Sequence, residues 1–211
     1  MKLILRNTDR KVYAGLVTQF RNEPDVSVEH GDIFGFKEET IDAIISPAQS
    51  FGFMDGGIDF FYSNYFGWDL QERLQKLIRE EYEGELYIGQ AVVVPTNHKK
   101  IPNLISAPTM RVPEPVANTV NAYLAFRAAL RQAVKWGFNE VLSPGMATGV
   151  GQMPPELAAY QMHKAWIEVK NNGESTIGPE YKTIEDAAVA NLELKGFKIE
   201  KFQANFDGVL D

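Results

Sequence analysis

The sequence predicts a three-layer α/β/α domain with a mixed, mostly parallel central sheet. Short apolar runs alternate with helix-period patterns along most of the 211 residues. Two glycine-rich loops each follow an apolar run and precede a helical pattern. Such alternation favours parallel strands joined by crossover helices that cover both faces of the sheet. With 45% hydrophobic residues, the chain is long enough to bury the core of one such domain.

Composition and charge exclude several classes of function. The chain has no cysteine, which excludes disulfides, zinc–thiolate sites and cysteine nucleophiles. Its three histidines, His30, His98 and His163, are far apart in sequence, so we expect no metal site. The net charge of −7 disfavours binding to nucleic-acid backbones, which depends on clustered lysine and arginine. No apolar stretch approaches the length of a membrane span or a signal peptide, so we expect a cytoplasmic protein without a membrane segment.

Strands are predicted where apolar residues alternate with polar ones or run together. Val26, Val28 and Ile33 alternate with polar residues, which is typical of a half-exposed strand. The continuous apolar run at residues 41–46 is typical of a strand buried on both faces. The predicted strands cover residues 2–7, 26–34, 41–46, 90–95, 103–107 and 141–143.

Helices are predicted from the 3.6-residue period and from the residues at their ends. Leu70, Leu74 and Ile78 recur at helical spacing, and Gly84 then ends the pattern. Pro155 suits the first turn of a later helix. The predicted helices cover residues 11–21, 68–83, 117–136, 154–169 and 184–194.

The composition changes after Lys170. Residues 171–179 are predicted to form a loop or linker, and residues 196–206 are predicted to form a final strand. We interpret residues 171–211 as a C-terminal extension that belongs to the same domain.

The two glycine-rich loops, at residues 46–59 and 144–154, are the candidate ligand site. Each loop follows the carboxyl end of a predicted buried strand, where open α/β sheets bind their ligands. Glycine lets backbone N–H groups approach a ligand and form a nest for an anion, and a following helix N-terminus adds positive potential. A diphosphate fits such a site even in an acidic protein. The alternative is ordinary loop chemistry, and neither loop matches a Walker or Rossmann motif.

Four short motifs occur in order along the chain. Residues 31–33 are Gly-Asp-Ile, and residues 42–49 are Asp-Ala-Ile-Ile-Ser-Pro-Ala-Gln. Residues 56–59 are Gly-Gly-Ile-Asp, and residues 148–154 contain Thr-Gly-Val followed by a proline. In order and spacing these segments resemble the macrodomain family, which binds ADP-ribose.

The resemblance covers roughly residues 25–169, and it implies a macrodomain-like domain over residues 1–170. The implied ligand is ADP-ribose or an ADP-ribosylated substrate, without a cofactor or a metal. The sequence leaves the oligomeric state open.

The resemblance also implies a role for each matching residue. Asp32 would accept a hydrogen bond from the adenine amino group, and the backbone N–H of Ile33 would lie beside the ring. Asp32 could instead cap the turn between two glycines. Gly56, Gly57 and Ile58 would line the diphosphate and the distal ribose. The diphosphate would be wrapped from the other side by Thr148, Gly149, Val150 and Gly151.

Two residues are candidate catalytic groups by the same resemblance. Asp59 matches the family's aspartate that orients a water for attack at the anomeric carbon of the ribose. Gln49 matches an asparagine that holds the distal ribose. This pair implies an ADP-ribosyl hydrolase, either an ADP-ribose 1''-phosphate phosphatase or a mono-ADP-ribosylhydrolase. The alternative for Asp59 is that it caps the N-terminus of the next helix.

The chain departs from the family pattern at several positions. Ser46 and Gln49 stand where hydrolytic members carry two asparagines, and Met54 and Asp55 replace two of four glycines. Gly151 stands where many members have an aromatic residue over the ribose.

These departures leave three functions open. The first is a hydrolase, the second is a reader that binds ADP-ribose without turnover, and the third is a macrodomain-like scaffold with a drifted pocket. Phe51 or Phe53 could supply the missing aromatic ring, or could simply pack on a helix. Arg111 could reach a phosphate or remain a surface arginine.

Overall fold

A single mixed sheet lies at the centre of the molecule. The computed structural model describes residues 1–172 and 181–198. The strands in these residues are β1 (Lys2–Asn7), β2 (Val26–His30), β3 (Ala43–Ser46), β4 (Val92–Pro95), β5 (Asn103–Ser106) and β6 (Glu140–Ser143). They pair in the order β2-β1-β6-β3-β5-β4, and every neighbouring pair is parallel except β4 and β5, which are antiparallel. The predicted mixed, mostly parallel sheet is therefore confirmed.

Helices cover both faces of this sheet. They are α1 (Arg10–Phe20), α2 (Gly57–Phe66), α3 (Asp69–Glu81), α4 (Asn121–Lys135), α5 (Pro155–Asn172) and α6 (Ile184–Leu194). Alternate residues of a strand point to opposite faces. Leu5 and Ile45 pack into a core beneath α1, α4 and α5, whereas Ile44 and Leu142 pack into a second core beneath α2 and α3. The predicted three-layer architecture is confirmed.

Helix α2 was not predicted. The sequence places a loop before a helix starting near residue 68, but residues Gly57–Phe66 already form a helix. The buried positions of α2 have helical spacing, but two of them, Asp59 and Ser63, are polar and only Tyr62 and Phe66 are apolar. The usual apolar stripe is therefore interrupted, and the leading glycines favour a loop assignment.

Strand β2 is shorter than predicted. It ends at His30, because the chain turns immediately afterwards. The backbone N–H of Gly35 donates to the carbonyl of Asp32 at 2.9 Å, and the N–H of Phe34 donates to the Asp32 carboxylate at 2.8 Å. An aspartate that bonds the backbone two residues ahead stabilises a turn rather than a strand.

Helix α6 follows the predicted bounds and begins with a capping box between Thr183 and Asp186. It lies against α5, where Gln161 Nε2 donates to the carbonyl of Leu194 at 2.9 Å. The predicted loop at 171–179 begins inside α5, and its residues from 173 onward lie outside the described residues, as does most of the predicted strand at 196–206. That residues 171–211 belong to the same domain stays a prediction.

Among the described helices, none has both the length and the apolar character that a membrane span requires.

Candidate functional site

A cleft of about 640 Å³ opens at the carboxyl edge of the sheet. Its two sides are the loop that leaves β3 and the loop that leaves β6. Both predicted glycine-rich loops therefore line the same cavity. The predicted residues found in the lining are Gln49, Gly56, Gly57, Ile58, Asp59, Thr148, Gly149, Val150 and Gly151.

The charge around the cleft is unusual for a site that would take an anion. Asp9, Asp55 and Asp59 line it, and among the described lining residues there is no lysine or arginine. Helix α2 starts at the cleft with Gly56 as its N-cap, and within the described part of the chain this cap makes no side-chain hydrogen bond to the first N–H groups. These N–H groups and the helix dipole produce a positive potential at this wall of the cleft.

The loop glycines have two different surroundings. A methyl group added at Gly56 or Gly149 would meet no atom within 4 Å, so their backbones are open to the cleft. Gly57 is also open, and its φ of +56° is a conformation that side chains rarely adopt. By contrast, a methyl group at Gly151 would lie 2.6 Å from the carbonyl oxygen of Ala147. Gly56, Gly57 and Gly149 therefore allow a ligand to approach the backbone, whereas Gly151 allows the loop to pack on itself.

Asp59 is a buried carboxyl at one wall of the cleft. It lies in the first turn of α2 and is 6% exposed. The Ser46 hydroxyl, at the end of β3, donates a hydrogen bond to Asp59 Oδ1. Burial raises the pKa of Asp59 to about 7, and the Ser46 hydrogen bond opposes this rise. The helix-cap alternative for Asp59 is wrong, because the N-cap is Gly56.

Gln49 lines the cleft, but its amide is engaged within its own loop. Its side-chain carbonyl accepts a hydrogen bond from the backbone N–H of Phe51, and Nε2 donates to the carbonyl of Phe53 at 3.3 Å. Phe51 and Phe53 both line the cleft, as the prediction of a replacement aromatic ring requires. Gln49 therefore holds the loop that presents these two rings.

Arg111 contacts the back of this loop. Its guanidinium forms a two-point ion pair with Glu85 at 2.7 and 3.1 Å and lies 5.1 Å from the centre of the Phe51 ring. The side chain is 61% exposed, and it is not part of the cleft lining. The structure agrees with a surface arginine that supports Phe51.

Asp32 and Ile33 do not contribute to the described lining of the cleft. Ile33 is buried in the core beneath α2 and α3. The Asp32 carboxylate caps its own turn, and Arg6 Nε donates to its backbone carbonyl. The turn-capping alternative is therefore observed, and the adenine role of these two residues stays a prediction.

Sequence reasoning missed other lining residues. Asn7 lies at the end of β1, Asp9 caps α1, and Thr109 follows β5. All three follow the carboxyl ends of parallel strands, so the rule that located the glycine loops would also have found them. Within the described residues, no three histidine or acidic side chains gather where a metal ion could bind.

Comparison with known proteins gives the family. An uncharacterized protein of Aquifex aeolicus is 35% identical over 139 residues, which is 65% of this chain and 78% of that protein. The Oceanobacillus iheyensis macrodomain with ADP has a TM-score of 0.58 at 21% identity, covering 79% of this chain and 87% of its own. A mutant of that macrodomain with ADPR has a TM-score of 0.57 at 19% identity, covering 79% and 89%. At these identities the two structures show a shared fold. The family model for the macro domain matches residues 45–162, from the end of β3 through both glycine loops into the first half of α5, and the chain therefore belongs to the macro domain family.

Proposed function

We propose that the cleft binds ADP-ribose or an ADP-ribosylated ligand, with the diphosphate between the two glycine loops. The observation that carries this proposal is that Gly56 and Gly149, on opposite loops, both line the same cleft with open backbones. The volume of about 640 Å³ is in the range of small-molecule sites. The similar macrodomain structures with ADP and with ADPR support the same ligand class.

The surroundings of the cleft explain how an acidic protein would hold a diphosphate. Backbone N–H groups at a glycine nest and at a helix N-terminus bind anions without a charged side chain. The uncapped start of α2 supplies such groups on one side. The loop at Thr148, Gly149 and Val150, which lines the other side of the cleft, would supply a second set.

Calorimetric titration with ADP-ribose tests the binding proposal, with AMP and ATP as control ligands. We expect ADP-ribose to bind best, because it alone has both the diphosphate and the distal ribose. Gly56→Ala or Gly149→Ala should weaken binding about tenfold to a hundredfold, since the methyl group would block a charged hydrogen bond. Gly137→Ala is the control outside the cleft, because Gly137 follows α4 at the opposite edge of the sheet; its φ of +69° makes alanine strained there, so this variant should lose stability but keep its affinity for ADP-ribose. A folded wild-type protein that does not bind ADP-ribose would contradict the proposal.

Hydrolysis of an ADP-ribosyl linkage is a second candidate function, favoured by the buried carboxyl of Asp59 in the cleft wall. In the proposed step, the oxygen of a water forms a bond to the anomeric carbon of the distal ribose. The bond from that carbon to the leaving group breaks, and the leaving group takes the electron pair. The ionised Asp59 accepts the proton that the water loses. A base with a pKa near the working pH suits this task.

A release assay separates hydrolysis from binding alone. The substrate is a protein that carries mono-ADP-ribose on an acidic residue, and the readout is free ADP-ribose. We expect turnover by the wild type, and loss of turnover in Asp59→Ala while binding is largely retained. A wild type that binds ADP-ribose but releases none would leave the reader function for this linkage.

A further inference from the structure

We propose that Ser46 is a positioning residue for Asp59. Its hydroxyl fixes one oxygen of the Asp59 carboxyl, so that the other oxygen is presented to the cleft in a defined direction. The consequence for turnover rests on the proposed hydrolysis, but the coupling between these two residues can be measured without any ligand.

The position of Ser46 is rigid. It is the last residue of β3, and it is 1% exposed. Ser46 itself pairs with Ser106 of β5, and β3 also pairs with β6 on its other side at Ala43 and Ile44, so the strand that carries Ser46 lies inside the sheet. The Ser46 hydroxyl is therefore a donor at a defined position, and it hydrogen-bonds the Asp59 side chain on the neighbouring helix α2.

The position of Asp59 depends on that donor. Asp59 is almost fully buried, yet it belongs to the cleft lining. A carboxylate removed from water needs hydrogen-bond donors to remain charged. The Ser46 hydroxyl donates to Oδ1, and this bond favours the ionised form against the effect of burial, which raises the pKa. Without Ser46, the carboxyl would lose both its anchor and part of its charge at neutral pH.

The other titratable groups around Asp59 do not replace this donor. Tyr62 lies one turn further along α2, and its hydroxyl donates to the carbonyl of Ile45 at 3.1 Å. Burial and the charge of Asp59 raise the pKa of Tyr62, so it stays neutral. Asp9 and Asp55 line the same cleft and are themselves acidic.

The sheet offers a matched control for Ser46. Ser106 on β5 is its register partner, and register partners on parallel strands point to the same face. Ser106 is fully buried, but its hydroxyl has no hydrogen-bond partner among the described residues. Removing either hydroxyl deletes one buried oxygen from the same face of the sheet, and only Ser46 bonds to Asp59.

The experiment is a pH titration of protein labelled with ¹³C at the aspartate carboxyls, without ligand, with Asp59→Asn used for assignment. We expect Ser46→Ala to raise the apparent pKa of Asp59 by about one to two pH units, the worth of a hydrogen bond to a charged group. Ser106→Ala should leave the titration of Asp59 unchanged. Ser46→Thr should keep the pKa of Asp59 close to its wild-type value, because threonine keeps the hydroxyl. Should Ser46→Ala not fold, Ser46→Cys is the second variant, since a thiol is a weak donor and should also raise this pKa.

A second measurement follows release of ADP-ribose against pH. The rising limb of the pH profile of kcat should move to higher pH in Ser46→Ala, with little change in KM. If the wild type does not bind ADP-ribose, the proposed function is wrong. The titration without ligand still tests whether Ser46 positions Asp59. An unchanged Asp59 titration in Ser46→Ala, or an equal change in Ser106→Ala, would overturn the inference.

Discussion

The side-chain carbonyl of Gln49 accepts a hydrogen bond from the backbone N–H of Phe51, and this bond folds the amide back onto its own loop. The other end of the amide donates to the carbonyl of Phe53. Both polar ends of Gln49 are therefore occupied at the position where the family resemblance expects a residue that holds the ribose. A ligand at this wall would meet a loop that Gln49 stabilises, with Phe51 and Phe53 exposed to the cleft.

Gln49→Asn is expected to raise hydrolytic turnover. Asparagine can still accept the hydrogen bond from residue 51, because an asparagine carbonyl readily bonds the N–H two residues ahead. Its side chain is one methylene shorter, so it should no longer reach the carbonyl of Phe53 and should leave its N–H₂ group free for the ribose. The release assay measures this change. Gln49→Ala is the control, since it loses the turn as well as the amide and should lower both binding and thermal stability. Turnover that is no higher in Gln49→Asn than in the wild type would contradict this account.

Asp32→Ala is expected to weaken binding of ADP-ribose by roughly 1.5–3 kcal/mol, or about tenfold to a hundredfold, if its carboxylate accepts the adenine amino group. The carboxylate already caps its own turn, but it has further lone pairs for a ligand. Calorimetry with ADP-ribose and with its inosine analogue separates the two roles, because hypoxanthine lacks the amino group. Equal affinity of the wild type for both ligands would remove Asp32 from the site.

The sheet and the position of the cleft could be predicted from the sequence, but the details of the side chains in the cleft could not. Strand β3 is a continuous apolar run, and the strand-loop-helix order after β3 and β6 places both loops at one edge. Helix α2 was missed because polar residues interrupt its buried face. The burial of Asp59 depends on how this missed helix packs against Ser46, thirteen residues earlier in the chain. The periodic pattern of apolar residues in a sequence does not predict a hydrogen bond between two such side chains.

The same limit applies to Gln49 and to Arg111. The sequence position of each residue allows contact with a ligand. In the structure, Gln49 instead bonds the backbone of Phe51, and Arg111 instead pairs with Glu85. Asp32 is different, because an aspartate between two glycines is a recognisable turn signal. That alternative was available from the sequence, and the structure contains it.

Gly151→Ala is expected to destabilise the protein by about 1–3 kcal/mol, the usual cost of overpacking. Its methyl group would lie 2.6 Å from the carbonyl oxygen of Ala147 and 2.9 Å from Val116 Cγ2. Gly149→Ala in the same loop is the control and should change stability by less than about 0.5 kcal/mol, because its methyl group would meet no atom within 4 Å. Urea denaturation measures both variants. Equal destabilisation by the two substitutions would show that the loop does not pack as described.

Asp59→Asn is expected to stabilise the protein at pH 8 and to have little effect at pH 4. The pKa of Asp59 rises from 3.8 to about 7 on folding, because burial disfavours the charged form. A carboxyl with a raised folded pKa contributes stability that is fully present below pH 3.8 and is lost as the pH rises to about 7. A pKa rise of this size corresponds to an upper limit of about 4 kcal/mol, so the variant should gain about 2–4 kcal/mol at pH 8.

Urea denaturation of the wild type and of Asp59→Asn, at half-unit steps from pH 4 to pH 8, measures this gain. The difference in the free energy of unfolding should grow with pH and level off above pH 7. Asp55→Asn removes an exposed carboxyl from the same loop and should change stability by less than about 0.5 kcal/mol at pH 8. A difference between the wild type and Asp59→Asn that stays constant across this range would mean that Asp59 is ionised throughout. The carboxyl would then be too acidic to accept a proton from water near neutral pH, and the hydrolytic role would lose its base.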